Sequence, residues 1–213
     1  GQIKRGDHQT IHAAVWYSDM HGSTALAEAL SPDDYPKALN DYFECSAGAV
    51  IANDGEVLLL LGDAVLAIFP IERQARATRR ACAAAVRAAG EAERRLAALN
   101  LKREAAGEPK LGFDLALHIG NLTFGNIGVP ERLQFTVVGP AANEVSRLHA
   151  IGRELKRSIV VSATFARQLP IEWTSLGEYE LRGIAGRREV FAPPEHLVLP
   201  ERRPVRADTR LRA

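Results

Sequence analysis

The sequence predicts an α+β fold in which helices pack on one face of a largely antiparallel sheet. Strand-like apolar runs and segments of helical periodicity follow one another without the regular alternation of a parallel α/β fold. Two of these runs, within 56–69, are separated only by Gly62 and Asp63, a spacing typical of an antiparallel hairpin.

The N-terminal elements are predicted from apolar runs and from signals for helix starts. The run 12–18 has the length and character of a buried strand, and leucines at i, i+4 spacing predict a short helix over 23–30. The segment 31–34 combines a Ser cap, a Pro at the first helical position and an acid at the third. A second helix is therefore expected to run from there to about Ala52.

The central elements are predicted from residue type and alternation. A proline-free run rich in Ala and Arg predicts a long helix over 72–99, whose small side chains allow close packing on a sheet. The polar segment 102–110 is expected to be a loop, and 111–119 alternates as a strand. The remaining predictions are a glycine-punctuated stretch at 120–129, strands near 133–138, 158–161, 173–180 and 188–192, and helices over 141–151 and 162–168.

The composition is that of a globular domain with short extensions. Of the 213 residues, 46% are hydrophobic and 25% are charged, which suffices for a sizeable core. We predict an N-terminal extension over 1–11, one domain over 12–192 and a Pro- and Arg-rich tail over 193–213, extended or disordered. A net charge of +1 gives no case for nucleic acid as a partner.

The two cysteines indicate a reducing compartment. Cys45 and Cys82 lie in helical patterns without metal-ligand spacing, so we expect small buried thiols and a cytoplasmic location. No apolar stretch approaches the ~20 residues of a bilayer-spanning helix, so no direct membrane insertion is expected of this segment.

Two carboxylates are predicted to meet at neighbouring strand ends. Asp19 ends the first apolar run, and Asp63 lies at the tip of the hairpin. Converging carboxylates suit Mg²⁺ or Mn²⁺, because these hard cations prefer charged oxygen ligands. Taken alone, each Asp could equally be an ordinary turn residue that bonds to nearby backbone amides.

Three separated segments resemble the motifs of class III adenylate/guanylate cyclase catalytic domains of bacterial type. The turn Asp19–Thr24 resembles their first metal motif, and Gly62–Asp63 with the following apolar run resembles the second. The stretch 135–148 resembles the block in which the family places an Asn and an Arg four residues apart. The glycines of 118–128 and Leu181–Gly183 also fit, so the resemblance spans roughly residues 12–192 in the family's order.

The resemblance implies a ferredoxin-like core that acts as a homodimer with shared active sites. It assigns to Asp19 and Asp63 the binding of two Mg²⁺ or Mn²⁺ ions, with the carbonyl of Met20 as a further ligand. The implied reaction converts a nucleoside triphosphate to a 3′,5′-cyclic nucleotide and pyrophosphate.

The other implied site residues bind the nucleotide. Arg147 would stabilise charge at the α-phosphate, and Asn143, one helical turn earlier, would hold the ribose. Arg132 is a further candidate for the triphosphate, or else a solvated loop residue.

Base selection is where the sequence departs from the family pattern. The position that usually carries a Lys in adenylyl cyclases and a Glu in guanylyl cyclases is Leu59. Its usual partner position is Thr136, which could accept from adenine or donate to guanine. We expect weakened base selectivity, with ATP preferred slightly over GTP.

Two other function classes stay open at this point. A catalytically weak regulatory or nucleotide-binding module would explain Leu59, although Asp19, Asp63, Asn143 and Arg147 are all retained. A phosphotransfer or diguanylate-forming enzyme on a similar core is the third reading, and the absence of a GGDEF-like motif counts against the latter.

Overall fold

A computed structural model describes residues 8–129 and 132–194. Its strands are β1 His8–Met20, β2 Glu56–Leu61, β3 Ala64–Pro70, β4 Phe113–Val129, β5 Arg132–Val138, β6 Ile159–Ser162, β7 Thr174–Glu180 and β8 Arg187–Ala192. Its helices are α1 Ser23–Ala29, α2 Asp34–Ala52, α3 Ala77–Ala105, α4 Pro140–Glu154 and α5 Ala163–Ala166. Residues 1–7 of the predicted N-terminal extension and residues 195–213 of the predicted tail lie outside the described residues.

The described strands form one sheet with mostly antiparallel pairing. The order is β2-β3-β1-β4-β6-β8-β7, with β5 paired to β4 beside this path. Only the β4–β6 pair is parallel, while the others are antiparallel. The predicted α+β class with a largely antiparallel sheet is confirmed.

Helices cover both faces of the sheet, so the prediction that they share one face is wrong. Ala14, Trp16 and Met20 of β1 pack with α2 and α3. Val15 and its odd-numbered neighbours pack with α4. Because successive strand residues point to opposite sides, β1 supplies apolar side chains to two separate layers. The run 13–16 is buried throughout, which hid this two-sided packing from the sequence pattern.

The long helix α3 begins and ends later than predicted. It continues through Arg103, so the first part of the predicted loop 102–110 is helical. Arg103 is buried and forms ion pairs with Asp41 and Glu108, and its Nε donates to the carbonyl of Pro109 at 2.7 Å. These tertiary contacts extend the helix beyond its alanine-rich part.

The glycine-punctuated stretch after 119 is part of the long strand β4. Gly120 and Gly125 pair with Ala13 and His8 of β1, so this stretch continues the ladder. A Cβ on Gly120 would lie 2.8 Å from the Cβ of Ala141, in the first turn of α4. This glycine therefore permits the close seating of α4 on the sheet.

The expectation for the two cysteines agrees with the structure. Cys45 and Cys82 are free and buried in helices. Within the described ranges, no helix combines the length and apolar character that a membrane crossing requires.

Candidate active site

The hairpin turn carries Asp63 to the backbone of Met20, the residue that follows Asp19. Asp19 is the penultimate residue of β1, and Asp63 occupies the β2–β3 turn after Gly62, whose φ is 61°. The Oδ2 atom of Asp63 accepts a hydrogen bond from the backbone N–H of Met20 at 3.2 Å. Burial, and then the charges of Asp19 and Asp63, raise the pKa of the Tyr17 hydroxyl. Both carboxylates thus act on one location at the end of β1.

Asp19 is largely buried and is incompletely satisfied. Its side chain is 14% exposed, and its Oδ2 accepts from Nη1 of Arg153 at 3.2 Å. Its Oδ1 lies 3.1 Å from Nε2 of His149, but neither atom has a hydrogen-bond partner. A buried carboxylate oxygen without a partner is costly, and a cation bound there would remove the cost. Asp19 therefore fits a metal ligand.

Asp114 extends this cluster along the sheet. It pairs with Asp19 across the β1–β4 ladder, so the two side chains share one face. Its Oδ2 lies 2.8 Å from Nδ1 of His21 and 4.0 Å from Nε of Arg153. Arg153 thus lies between two carboxylates.

A pocket of about 440 Å³ opens beside Asp114 and Arg153. It is lined by His21, Gly112, Phe113, Asp114, Arg153, Lys156 and Ser158. The guanidinium of Arg153 and the ammonium of Lys156 make its wall basic, while Asp114 is nearly buried beneath them.

Sequence reasoning missed Asp114, His149 and Arg153. His149 and Arg153 are one turn apart on α4, which places them on one face of the helix. Asp114 is a charged residue within an otherwise apolar part of β4. Both signals are local, but only the packing of α4 on β1 connects them with Asp19.

Asn143 and Arg147 lie near the start of α4 and face away from this chain's sheet. Each is two residues from the buried Val145, or about 200° around the helix. Asn143 is exposed and Arg147 is half-buried. They share a face with each other, as predicted. The structure does not bring them to Asp19 of the same chain, which contacts the C-terminal turns of α4 instead.

The two predicted base-contacting positions are also apart. Leu59 is half-buried on β2, next to a register shift between Val57 and Leu59. Thr136 is on β5 and donates to the carbonyl of Gln134 at 3.3 Å. The strand order separates β2 from β5 by four strand spacings, roughly 19 Å. Arg132 begins β5, and its side chain lies outside what the structure describes.

A largely buried polar network, separate from the contacts of Asp19, connects α4 to the sheet. Nδ1 of His118 lies 2.9 Å from the hydroxyl of Ser162, and its Nε2 lies 3.6 Å from the Glu144 carboxylate. Nε of Arg188 donates to Glu144 at 3.2 Å. Burial lowers the pKa of His118. The network connects the helix of Asn143 to strands β4, β6 and β8.

Known proteins resemble this chain in sequence and in fold. "Adenylate cyclase 1" of Rhizobium meliloti (strain 1021) is 28% identical over 179 residues, which is 82% of this chain and 26% of that protein. The adenylyl cyclase CyaB from P. aeruginosa superposes with a TM-score of 0.78 at 21% identity, covering 92% of this chain and 100% of that one. The guanylyl cyclase Cya2 superposes with a TM-score of 0.70 at 23% identity, covering 92% and 98%. The chain spans about a quarter to a third of the length of the curated relatives it matches.

The match to a family model covers most of the chain. The model for the adenylate and guanylate cyclase catalytic domain matches residues 7–192, which include Asp19, Asp63 and the whole of α4. The chain therefore belongs to the family of adenylate and guanylate cyclase catalytic domains.

Proposed function

We propose that this domain converts ATP, and GTP less readily, to a 3′,5′-cyclic nucleotide and pyrophosphate. The observation that carries the proposal is the convergence of Asp19 and Asp63 beside Met20 in a member of this family. The incompletely satisfied Asp19 supports it, because a carboxylate used only for structure would be expected to have partners for both oxygens.

Asp19 and Asp63 would hold two Mg²⁺ or Mn²⁺ ions, with the Met20 carbonyl as an additional oxygen ligand. Bound there, the ions would lower the pKa of the attacking ribose hydroxyl and neutralise phosphate charge. No three His, Cys, Asp or Glu side chains in the described ranges are placed to hold a metal ion together. Phosphate oxygens of the nucleotide would therefore complete the coordination, so that metal and substrate bind together.

Asn143 and Arg147 would act on the nucleotide held by a second copy of the chain. Their face of α4 points away from the sheet that carries Asp19, so one chain does not offer all four side chains to one nucleotide. A symmetric dimer would supply the missing pair to each site. Arg147 would then stabilise the charge that develops at the α-phosphate, and Asn143 would orient the ribose. Arg132 stays a candidate for a triphosphate contact.

The proposed dimer would also form each base-binding site from residues of both chains. Leu59 and Thr136 are too far apart in one chain to contact the same base, but two copies can bring them together. Leu59 cannot form a hydrogen bond to either purine through its side chain, so Thr136 would carry the discrimination. A preference for ATP agrees with the name of the Rhizobium meliloti relative, and a weak preference agrees with Leu59.

A turnover assay tests the proposal. The protein would be incubated at high concentration with ATP or GTP and Mn²⁺, and the products identified by mass. We expect cyclic AMP in excess over cyclic GMP, with one pyrophosphate released for each cyclic nucleotide. Asp63→Asn should form these products about 10²- to 10³-fold more slowly. A confirmed dimer that binds nucleotide but releases no cyclic product would favour a regulatory module instead.

A further inference from the structure

We propose that Arg153 is an exchangeable cation of the active site. Arg153 pairs with Asp19 in the structure, and a divalent ion that binds Asp19 would shift it to the phosphates of the nucleotide. The inference rests on the proposed function and adds to it a positioning residue outside the family motifs quoted above.

The resting position of Arg153 is defined by two contacts. Its Nη1 bonds to Asp19 at 3.2 Å, and its Nε lies 4.0 Å from Asp114. Its side chain is 55% exposed, whereas those of the two carboxylates are 14% and 7% exposed. The cation is therefore the least buried member of the cluster and the one with room to change its position.

A divalent ion and Arg153 compete for the same carboxylate. The guanidinium uses Oδ2 of Asp19, and Oδ1 is buried beside His149. A metal bound to this carboxylate would place two or more positive charges within a few ångströms of the guanidinium, where repulsion is strong. Metal binding should thus release Arg153 from Asp19.

The released guanidinium would bind phosphate oxygens in the neighbouring pocket. The pocket beside it also contains Lys156 and His21, and Asp114 lies in its wall and keeps Arg153 nearby. A planar guanidinium binds phosphate oxygens in a bidentate manner. A polyphosphate that is bound to a metal at Asp19 and extends into this pocket would meet Arg153 and Lys156.

The two roles predict opposite effects of one substitution. In Arg153→Gln, Mn²⁺ alone should bind roughly two- to fivefold more tightly, because a partly exposed competing ion pair is gone. Pyrophosphate with Mg²⁺ should bind roughly tenfold more weakly, because a charge-assisted contact is lost. Mn²⁺ binding is measured by water-proton relaxation and pyrophosphate binding by calorimetry, both on the full chain.

Two further variants separate exchange from general effects of charge or folding. Arg157→Gln removes the same charge from an exposed position. Because exposed charges are screened by salt, it should change the affinities for Mn²⁺ and for pyrophosphate by no more than about twofold. Arg153→Lys keeps the charge beside Asp19, so Mn²⁺ affinity should stay near the parent value. It should still weaken pyrophosphate binding, because Lys lacks the bidentate geometry.

The outcomes distinguish this inference from the proposed function. If Arg153→Gln leaves Mn²⁺ affinity unchanged, or lowers both affinities together, the exchange is refuted while the metal site stands. If the parent protein binds no Mn²⁺, or binds it equally well with Asp63→Asn, both the metal assignment and the exchange are refuted.

Discussion

The backbone N–H of Met20 donates to the Asp63 carboxylate at 3.2 Å and thereby connects the β2–β3 turn to the end of β1. Asp19 precedes Met20 directly, so this one bond connects the backbone next to Asp19 with a carboxylate 44 positions further along the sequence. The hydrogen bond needs only an oxygen acceptor at position 63, whereas the proposed metal binding also needs the negative charge of the Asp63 carboxylate.

The substitution Asp63→Asn separates these two roles. The amide oxygen can still accept from Met20, so the thermal unfolding midpoint should stay close to that of the parent protein. Turnover should fall by about 10²- to 10³-fold, as expected when one preorganised electrostatic group is removed. Asp33→Asn, at an exposed position before α2, is a matched control that should keep full activity. Comparable turnover in both variants would contradict the metal assignment.

Mixing two nearly inactive variants tests the shared site. Asp63→Asn and Arg147→Ala should each retain on the order of a hundredth of the parent turnover or less, because each damages both sites of a homodimer. Equal mixing yields one intact site in each heterodimer, so activity should recover to about a quarter of the parent level. The mixture of Asp63→Asn with Asp19→Asn is the control and should stay nearly inactive, because both changes fall on the same half of the site. Activity in that control, or none in the first mixture, would argue against the proposed division of residues.

Leu59→Lys should sharpen base selection. A hydrogen bond to a purine within a desolvated site contributes roughly 5- to 150-fold in discrimination. We expect the ratio of kcat/KM for ATP over GTP to rise into that range. Leu60→Lys introduces the same charge on a neighbouring residue that is 50% exposed, and it should leave the ratio unchanged. An equal rise in both variants would point to bulk charge rather than to base contact.

His118 should make the fold less stable in acid. Burial lowers its pKa in the folded chain, so the unfolded chain takes up a proton at higher pH. The stabilisation from neutral His118 is complete above its ordinary value of 6.5 and declines as pH falls from there towards the lower folded value. Urea unfolding between about pH 5 and 7.5 should show a flatter pH dependence in His118→Gln than in the parent protein. A pH dependence in His118→Gln as steep as that of the parent protein would refute the assignment.

Gly120→Ala should weaken the seating of α4. The added methyl would lie 2.8 Å from the Cβ of Ala141, and overpacking of this kind costs roughly 1–3 kcal/mol. Denaturant unfolding measures the loss. The double variant Gly120→Ala with Ala141→Gly removes the clash, so it should recover part of that stability. If the double variant loses as much unfolding free energy as the two single variants together, or more, this contact is excluded as the cause.

The sequence predicted those features that depend on local pattern. Alternation identified β4 from Phe113 onward, and the Gly62–Asp63 spacing identified the hairpin. The Met20 bond places Asp63 beside the residue that follows Asp19, while the predicted metal site itself stays a prediction. Each of these features is encoded within a few neighbouring residues or by the order of the strands.

Features that depend on tertiary packing were not predicted. The burial of Arg103 lengthens α3, and the second helical layer arises because α4 crosses over to the opposite face of β1. The contact of Arg153 with Asp19 joins residues 134 positions apart, and no local periodicity reports such a contact. The separation of Leu59 from Thr136 likewise follows only from the strand order.

The unpartnered oxygen of Asp19 also bears on how such a chain would change over generations. Replacing Asp19 with a residue of similar size and no charge would relieve a buried, incompletely satisfied carboxylate and make the empty fold more stable. A chain under no requirement to bind metal would therefore be expected to drift away from Asp19, so stability and the proposed metal binding oppose each other at this position.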